Sequence, residues 1–169
     1  MRFPTPNIAS LLLIALWLGP TSYAMAKSKE LRFYAVMTGA NVCLDIFGGE
    51  DRRTPTMAEC GDFSGQAWWL VDTNEASHVK LKNSYSGTTL CLDISTVGKS
   101  HVPIMAECGH YSGQYWKLEA NTTGKDFKLK NTFSGDALCL DIIKLGKSSQ
   151  LVMAPCKQLT GQMWRNAPY

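Results

Sequence analysis

The stretch Cys43-Leu44-Asp45-Ile46 returns unchanged as Cys91-Leu92-Asp93-Ile94 and again as Cys139-Leu140-Asp141-Ile142, at steps of 48 residues. The same step links Cys60, Cys108 and Cys156, then Gln66, Gln114 and Gln162, then Trp68, Trp116 and Trp164. Cysteines, an amide and a large ring that recur in phase at one period mark a single supersecondary unit used three times. The units run over about 30–76, 77–124 and 125–169. The second and third enter through matching leads, VKLKNSYSGTTL and FKLKNTFSGDAL, where the first has the looser LRFYAVMTGANV.

Within a unit the local signals are those of strands and turns. Leu31–Val36, Val42–Ile46, Thr56–Ala58 and Trp68–Val71 are short apolar or alternating runs, punctuated by breakers such as Gly48-Gly49 and Ser64-Gly65. No window carries a sustained helical stripe. About four short strands per unit, about twelve in all, predict an all-β barrel or sandwich. Threefold repetition favours closure into a pseudo-threefold ring, which removes exposed strand edges.

Upstream of the repeats, Arg2, the apolar run Ile8–Leu18 and the small-x-small triplet Ala24-Met25-Ala26 predict a secretory signal over residues 1–26. The mature domain would then be 27–169, secreted to an extracellular or periplasmic space. The apolar run is short of the roughly 20 residues that a membrane span needs, and no second run follows. Formal charge is +3, one less without Arg2, too weak a bias to imply nucleic acid or anionic lipid as a partner.

All six cysteines fall in the expected exported part, where disulfides are the default state. Six cysteines allow 15 pairings, and the repeat favours those that recur in every unit. The simplest is Cys43–Cys60, Cys91–Cys108 and Cys139–Cys156, each worth about 3 kcal/mol in the chain-entropy view. No CxxC pair or recurrent histidine accompanies them, so a zinc site is not expected, nor any other metal or cofactor.

CLDI, a second cysteine 17 residues on, and Gln-x-Trp in all three units together resemble the ricin B-type lectin family over nearly the whole mature chain. The resemblance implies a β-trefoil, a barrel of six strands capped by six hairpin strands, with up to three shallow carbohydrate sites. It places a hydroxyl-binding carboxylate at Asp45, Asp93 and Asp141, and assigns to Gln66, Gln114 and Gln162 the tying of the pocket loop. In strand geometry each such acid faces away from the side that its Leu and Ile neighbours bury, and its carboxylate can accept two hydroxyls. It could equally cap the following turn. The repeated tryptophans are expected in the core. Trp69, facing Lys117 and Arg165 in the other units, is expected near the surface.

The sequence departs from the family's pocket in two respects. Where its best-known members carry the sugar-stacking ring, this chain has Ala58, Ala106 and Ala154; where a polar residue often precedes the glutamine, it has Gly65, Gly113 and Gly161. Phe63 and Tyr111, in the loop after the second cysteine, are the replacement rings expected, with Phe47 beside the first CLDI and Leu159 in the third unit. Alternatively, Phe63 and Tyr111 only pack over the disulfide. Glu59 and Glu107 stand as further acceptors where the third unit has Pro155.

No catalytic motif is present, and His78, His101 and His110 occupy unrelated repeat positions. The sequence therefore points to a non-enzymatic protein that binds glycans or glycoproteins. The alternative is a receptor-binding or accessory subunit of a secreted toxin or surface complex that contacts protein through degenerate sugar sites. An inhibitor trefoil with a specialised loop fits the strict period poorly. Asn121-Thr122-Thr123 is a formal N-glycosylation acceptor.

Overall fold

The computed structural model describes residues 29–47, 52–95, 101–145 and 148–169. The expected signal segment lies outside the described residues. The first unit contributes β1 (Leu31–Ala35), β2 (Val42–Ile46), β3 (Pro55–Glu59) and β4 (Trp68–Asp72). The second contributes β5 (Val79–Asn83), β6 (Leu90–Ile94), β7 (Pro103–Glu107) and β8 (Trp116–Ala120). The third contributes β9 (Phe127–Asn131), β10 (Leu138–Leu145), β11 (Ser148–Pro155) and β12 (Trp164–Pro168). The helical content among the described residues is three single 3-10 turns, Ser64–Gln66, Ser112–Gln114 and Thr160–Gln162, one before each repeated tryptophan.

Pairing closes the ring that the threefold repeat predicts. In antiparallel order β1, β4, β5, β8, β9 and β12 each pair with the next, and β12 returns to β1 in register Leu31↔Pro168 to Ala35↔Trp164. The remaining strands form three hairpins, β2–β3, β6–β7 and β10–β11, with Cys43↔Ala58, Cys91↔Ala106 and Cys139↔Ala154 in matching registers. This is a β-trefoil. The three disulfides pair as the repeat suggests, Cys43–Cys60, Cys91–Cys108 and Cys139–Cys156, each with Cα atoms 5.1 Å apart.

Threefold equivalents fill the centre. Trp68, Trp116 and Trp164 have no exposed surface, nor do Phe33, Leu81 and Leu129 at the matching barrel positions. Leu44, Leu92 and Leu140 close the layer from the hairpins. A buried indole needs a partner for its N–H. Each finds it in its own unit: Nε1 of Trp68, Trp116 and Trp164 donates to the carbonyls of Leu44, Leu92 and Leu140 at 2.9–3.0 Å. One residue therefore fills the barrel and ties it to the CLDI strand, which fixes where the aspartate emerges. Neighbouring hairpins also interlock, since the Met105 N–H donates to Arg53 O (2.8 Å) and the Met153 N–H to His101 O (3.1 Å).

Trp69, expected near the surface, is half-buried on the barrel exterior opposite its cross-strand partner Lys82.

Candidate functional site

The aspartate and the glutamine of each unit meet. Nε2 of Gln66 donates to Asp45 Oδ2 (2.8 Å) and to Glu59 O (2.8 Å), while its Oε1 accepts from the Gly61 N–H (2.9 Å). Gln114 repeats this with Asp93 (2.9 Å), Glu107 O (2.7 Å) and the Gly109 N–H (2.8 Å). Gln162 repeats it with Asp141 (2.9 Å), Pro155 O (3.0 Å) and the Lys157 N–H (2.7 Å). All three amides are fully buried, so their polar atoms are spent on partners within the protein. Each amide clamps the loop that follows the second cysteine to the CLDI strand.

Alternation does put the carboxylates on the face opposite the core, but that face is covered. The 3-10 turn folds over it, leaving Asp45 4% and Asp141 6% exposed, with Asp93 half-exposed. The glycine before each glutamine makes this possible. A Cβ on Gly65 would lie 2.1 Å from Asp45 Oδ1 and 2.4 Å from Ile46 O, and one on Gly113 would lie 2.0 Å from Asp93 Oδ1. Burial pushes the Asp45 carboxyl above its ordinary value, against the opposing pull of the bonds from the Gln66 amide and the Ile46 N–H.

Above two of the carboxylates lie open clefts built from equivalent residues. The first, about 630 Å³, is lined by Asp45, Phe47, Ala58, Glu59, Phe63 and Tyr85, among others. The second, about 610 Å³, is lined by Asp93, Ala106, His110, Tyr111, Gly113 and Phe133, among others. Phe63 and Tyr111 are 61% and 62% exposed, each turned back on a glycine: a Cβ on Gly61 would lie 2.5 Å from the Phe63 ring and one on Gly109 2.3 Å from the Tyr111 ring. Both line the same cleft as the acid of their unit, together with the small Ala58 and Ala106.

Sequence reasoning missed the opposite walls, Tyr85 and Phe133. Each belongs to the unit that follows its cleft. Asn83 and Asn131 fix them: Nδ2 donates to Gly65 O and Gly113 O (both 2.7 Å), and Oδ1 accepts from the N–H of Tyr85 and of Phe133 (both 3.0 Å). Tyr85 and Phe133 also donate their own N–H to Ser64 O and Ser112 O. The signal was present in the leads, where NSYSG and NTFSG face AVMTG. Outside the clefts, Arg52 lies over the Tyr85 ring (5.1 Å) and His101 against Phe133 (5.9 Å).

The third unit keeps the clamp and loses the rings. Leu159 stands for Phe63 and Tyr111, and Lys157 for the glycine beneath them. At the opposite wall the position falls to Met37, whose N–H donates to Thr160 O as those of Tyr85 and Phe133 do to their serines. Of the other residues singled out, Glu59 lines the first cleft, and Glu107 is exposed with its carbonyl on Gln114. His78 sits in the β4–β5 turn, its Nδ1 2.9 Å from Ala76 O. Asn121 uses its side chain to shape the β8–β9 turn, accepting from Thr123 and donating to Asp126. Among the described residues no group of three or more His, Cys, Asp or Glu is placed to hold a metal ion, and no helix is long and apolar enough to cross a membrane.

Fold and site together define a β-trefoil of three equivalent units, two of them bearing a cleft with a carboxylate floor and aromatic walls. The chain belongs to the family of ricin-type β-trefoil lectin domains, whose model matches residues 76–168, more than half of its length. No curated protein matches it by sequence. Among solved structures it is similar to a designed threefold-symmetric protein, ThreeFoil, at 19% identity and TM-score 0.69, covering 83% of this chain and 99% of that one. It is similar to a ricin B-like lectin of Macrolepiota procera in complex with lactose at 16% identity and TM-score 0.66, covering 85% and 99%. It is also similar to a mosquitocidal holotoxin at 20% identity and TM-score 0.69, covering 85% of this chain but only 18% of that one. At these identities the likeness is one of fold.

Proposed function

We propose that this protein is a secreted lectin that binds glycans through the clefts of its first and second units and carries out no chemistry on them. The observation that carries the reading is the pairing of a carboxylate floor with facing aromatic walls, Asp93 between Tyr111 and Phe133 and Asp45 between Phe63 and Tyr85. A sugar ring presents an apolar face and a rim of hydroxyls, and such a cleft offers a complement to each. The Gln–Asp clamp holds the acid before any ligand arrives, which lowers the ordering cost of binding. Two shallow sites on one rigid body suit a surface that displays many glycans, where a second contact adds avidity. Three disulfides suit an oxidising compartment.

A glycan array probed with the wild type and with Asp93→Asn tests the reading. Binding by the wild type, with a reduced signal in a variant that melts normally, is the expected result. A wild type that captures no glycan overturns it.

The similarity to toxin structures supports a second reading, in which the trefoil delivers or assembles a larger complex. A chain of the Haemophilus ducreyi cytolethal distending toxin is covered over 83% of its length at TM-score 0.63 and 18% identity. Capture of a defined protein partner that survives removal of glycans from that partner would favour this reading.

A further inference from the structure

The two clefts differ at mouth and floor. After CLDI the first carries Phe47, 72% exposed, where the second carries Ser95. On the rim the first has Asp62, held by Arg32 at 3.0 Å, where the second has His110. On the floor Asp45 is nearly closed off, while Asp93 is half-exposed. We propose that the first cleft selects a sugar bearing an acyl or alkyl substituent, with Phe47 as the selecting residue, whereas the second takes hydroxyl-rich sugars. This rests on the carbohydrate reading above.

A pyranose has one broad apolar face, and the pair of walls that both clefts share already covers it. The first cleft brings three rings from three segments: Phe47 at the end of β2, Phe63 in the loop after Cys60, and Tyr85 after β5. Rings pressed against bare hydroxyls strip water from them and return no hydrogen bond, which is a net cost. A ligand with a second apolar surface, such as an acetyl or methyl group, removes that cost. Phe47 is too exposed to contribute to the core. An exposed ring grouped with two others at a concave site marks a contact surface rather than scatter. The floor agrees, because Asp45 has little surface left for hydroxyls. In the second cleft the third ring is absent and Asp93 is accessible, while each rim keeps polar groups, Glu59 and Asp62 in the first and His110 in the second.

The test uses the full chain and four probes, the methyl glycosides of glucose and galactose and their 2-acetamido counterparts, read by calorimetry or ligand-observed NMR. Tyr111→Ala leaves the first cleft, and Phe63→Ala leaves the second. Phe47, Phe63 and Tyr111 are all more than 60% exposed, so these variants keep the fold, and thermal melts check it. The Tyr111→Ala protein is expected to prefer the acetamido sugars by roughly tenfold, as one well-placed apolar group allows. Adding Phe47→Ser should bring that ratio close to one, and Ser95→Phe in the Phe63→Ala protein should raise it. Equal affinity for both sugar types in the Tyr111→Ala protein, or a preference that survives Phe47→Ser, overturns the proposal and leaves the carbohydrate reading standing. A wild type that binds none of the four probes, and nothing on the array, overturns both.

Discussion

The third unit and the first two share a skeleton and differ at the mouth of the cleft. The amide-to-carboxylate bond is 2.8 Å in the first unit and 2.9 Å in the other two. The tryptophans are equally buried, and the disulfides span the same Cα distance. Yet the rings at the rim, Phe63 and Tyr111, become Leu159, and the opposite walls, Tyr85 and Phe133, become Met37. The residues that build the trefoil are thus separable from those that face solvent, so one copy can lose its walls without strain elsewhere. The Gln–Asp pair is made in all three units whatever stands above it, so it is part of the scaffold.

That separation is broken most directly at the core. Trp68→Ala, Trp116→Ala and Trp164→Ala should each cost about 3–5 kcal/mol, the loss of a buried ring together with its N–H bond. Denaturant midpoints should fall alike in all three, and a mild effect at Trp164 alone would show that the third unit is loosened below its surface. Next come the glycines under the turn. Gly65→Ala and Gly113→Ala should cost about 1–3 kcal/mol by overpacking. Gly161→Ala should cost less, because its added Cβ would meet Asp141 Oδ1 at 2.5 Å and Ile142 O at 3.0 Å, a looser fit. Calorimetric melting temperatures in that order would confirm the comparison.

At the ligand-facing level the units should part company. Tyr111→Leu, which copies the third unit into the second, should weaken glycan binding by about tenfold while leaving stability unchanged, as expected for loss of one stacking ring. Leu159→Tyr should give little, because Met37 leaves the other wall missing; titration with the best array ligand measures both. Asp45 adds a pH signature. Its folded value is raised above the ordinary 3.8, so its contribution to stability is present below that value and lost as pH rises through the folded value. Asp45→Asn, neutral throughout, should therefore gain on the wild type as pH rises from about 3 to 7, read as the difference in melting temperature.

The period of 48 made the fold legible, since Cys, Gln and Trp in phase dictate three equivalent units and a closed ring. It also picked the disulfide pairing that the structure shows. The site was legible only in part. Alternation places Asp45 opposite Leu44 and Ile46, but does not reveal that a 3-10 turn closes over it, because that depends on Gly65 meeting it across 20 residues of chain. Tyr85 and Phe133 were missed for a related reason: each cleft is completed by the following unit, so a reading confined to one repeat stops before its second wall. Trp69 was placed by the absence of repeat counterparts, and it lies half-buried on the barrel exterior in register with Lys82.

The smallest expected effect lies on the barrel exterior, where the repeat tolerates different solutions at one place. Lys130 in β9 pairs with Glu119 at 2.9 Å, whereas its equivalent Lys82 in β5 faces a strand with Val71 at the acid's position and donates instead to Thr88 O at 2.6 Å. The bond from Lys130 holds the Glu119 carboxyl below its ordinary value, helped by Lys117 and Lys128. A depressed carboxyl contributes stability above its unfolded value of 4.5, and that stability is lost as pH falls through the folded value. Glu119 is 42% exposed, so water and salt screen the pair and Glu119→Gln should cost only about 0.5 kcal/mol at neutral pH. The cost should vanish in acid and shrink in about 1 M salt. A loss of several kcal/mol, or one indifferent to salt, would mean that the second and third units are held together by charge across β8 and β9, and the repeats would then differ in their scaffold as well as in their mouths.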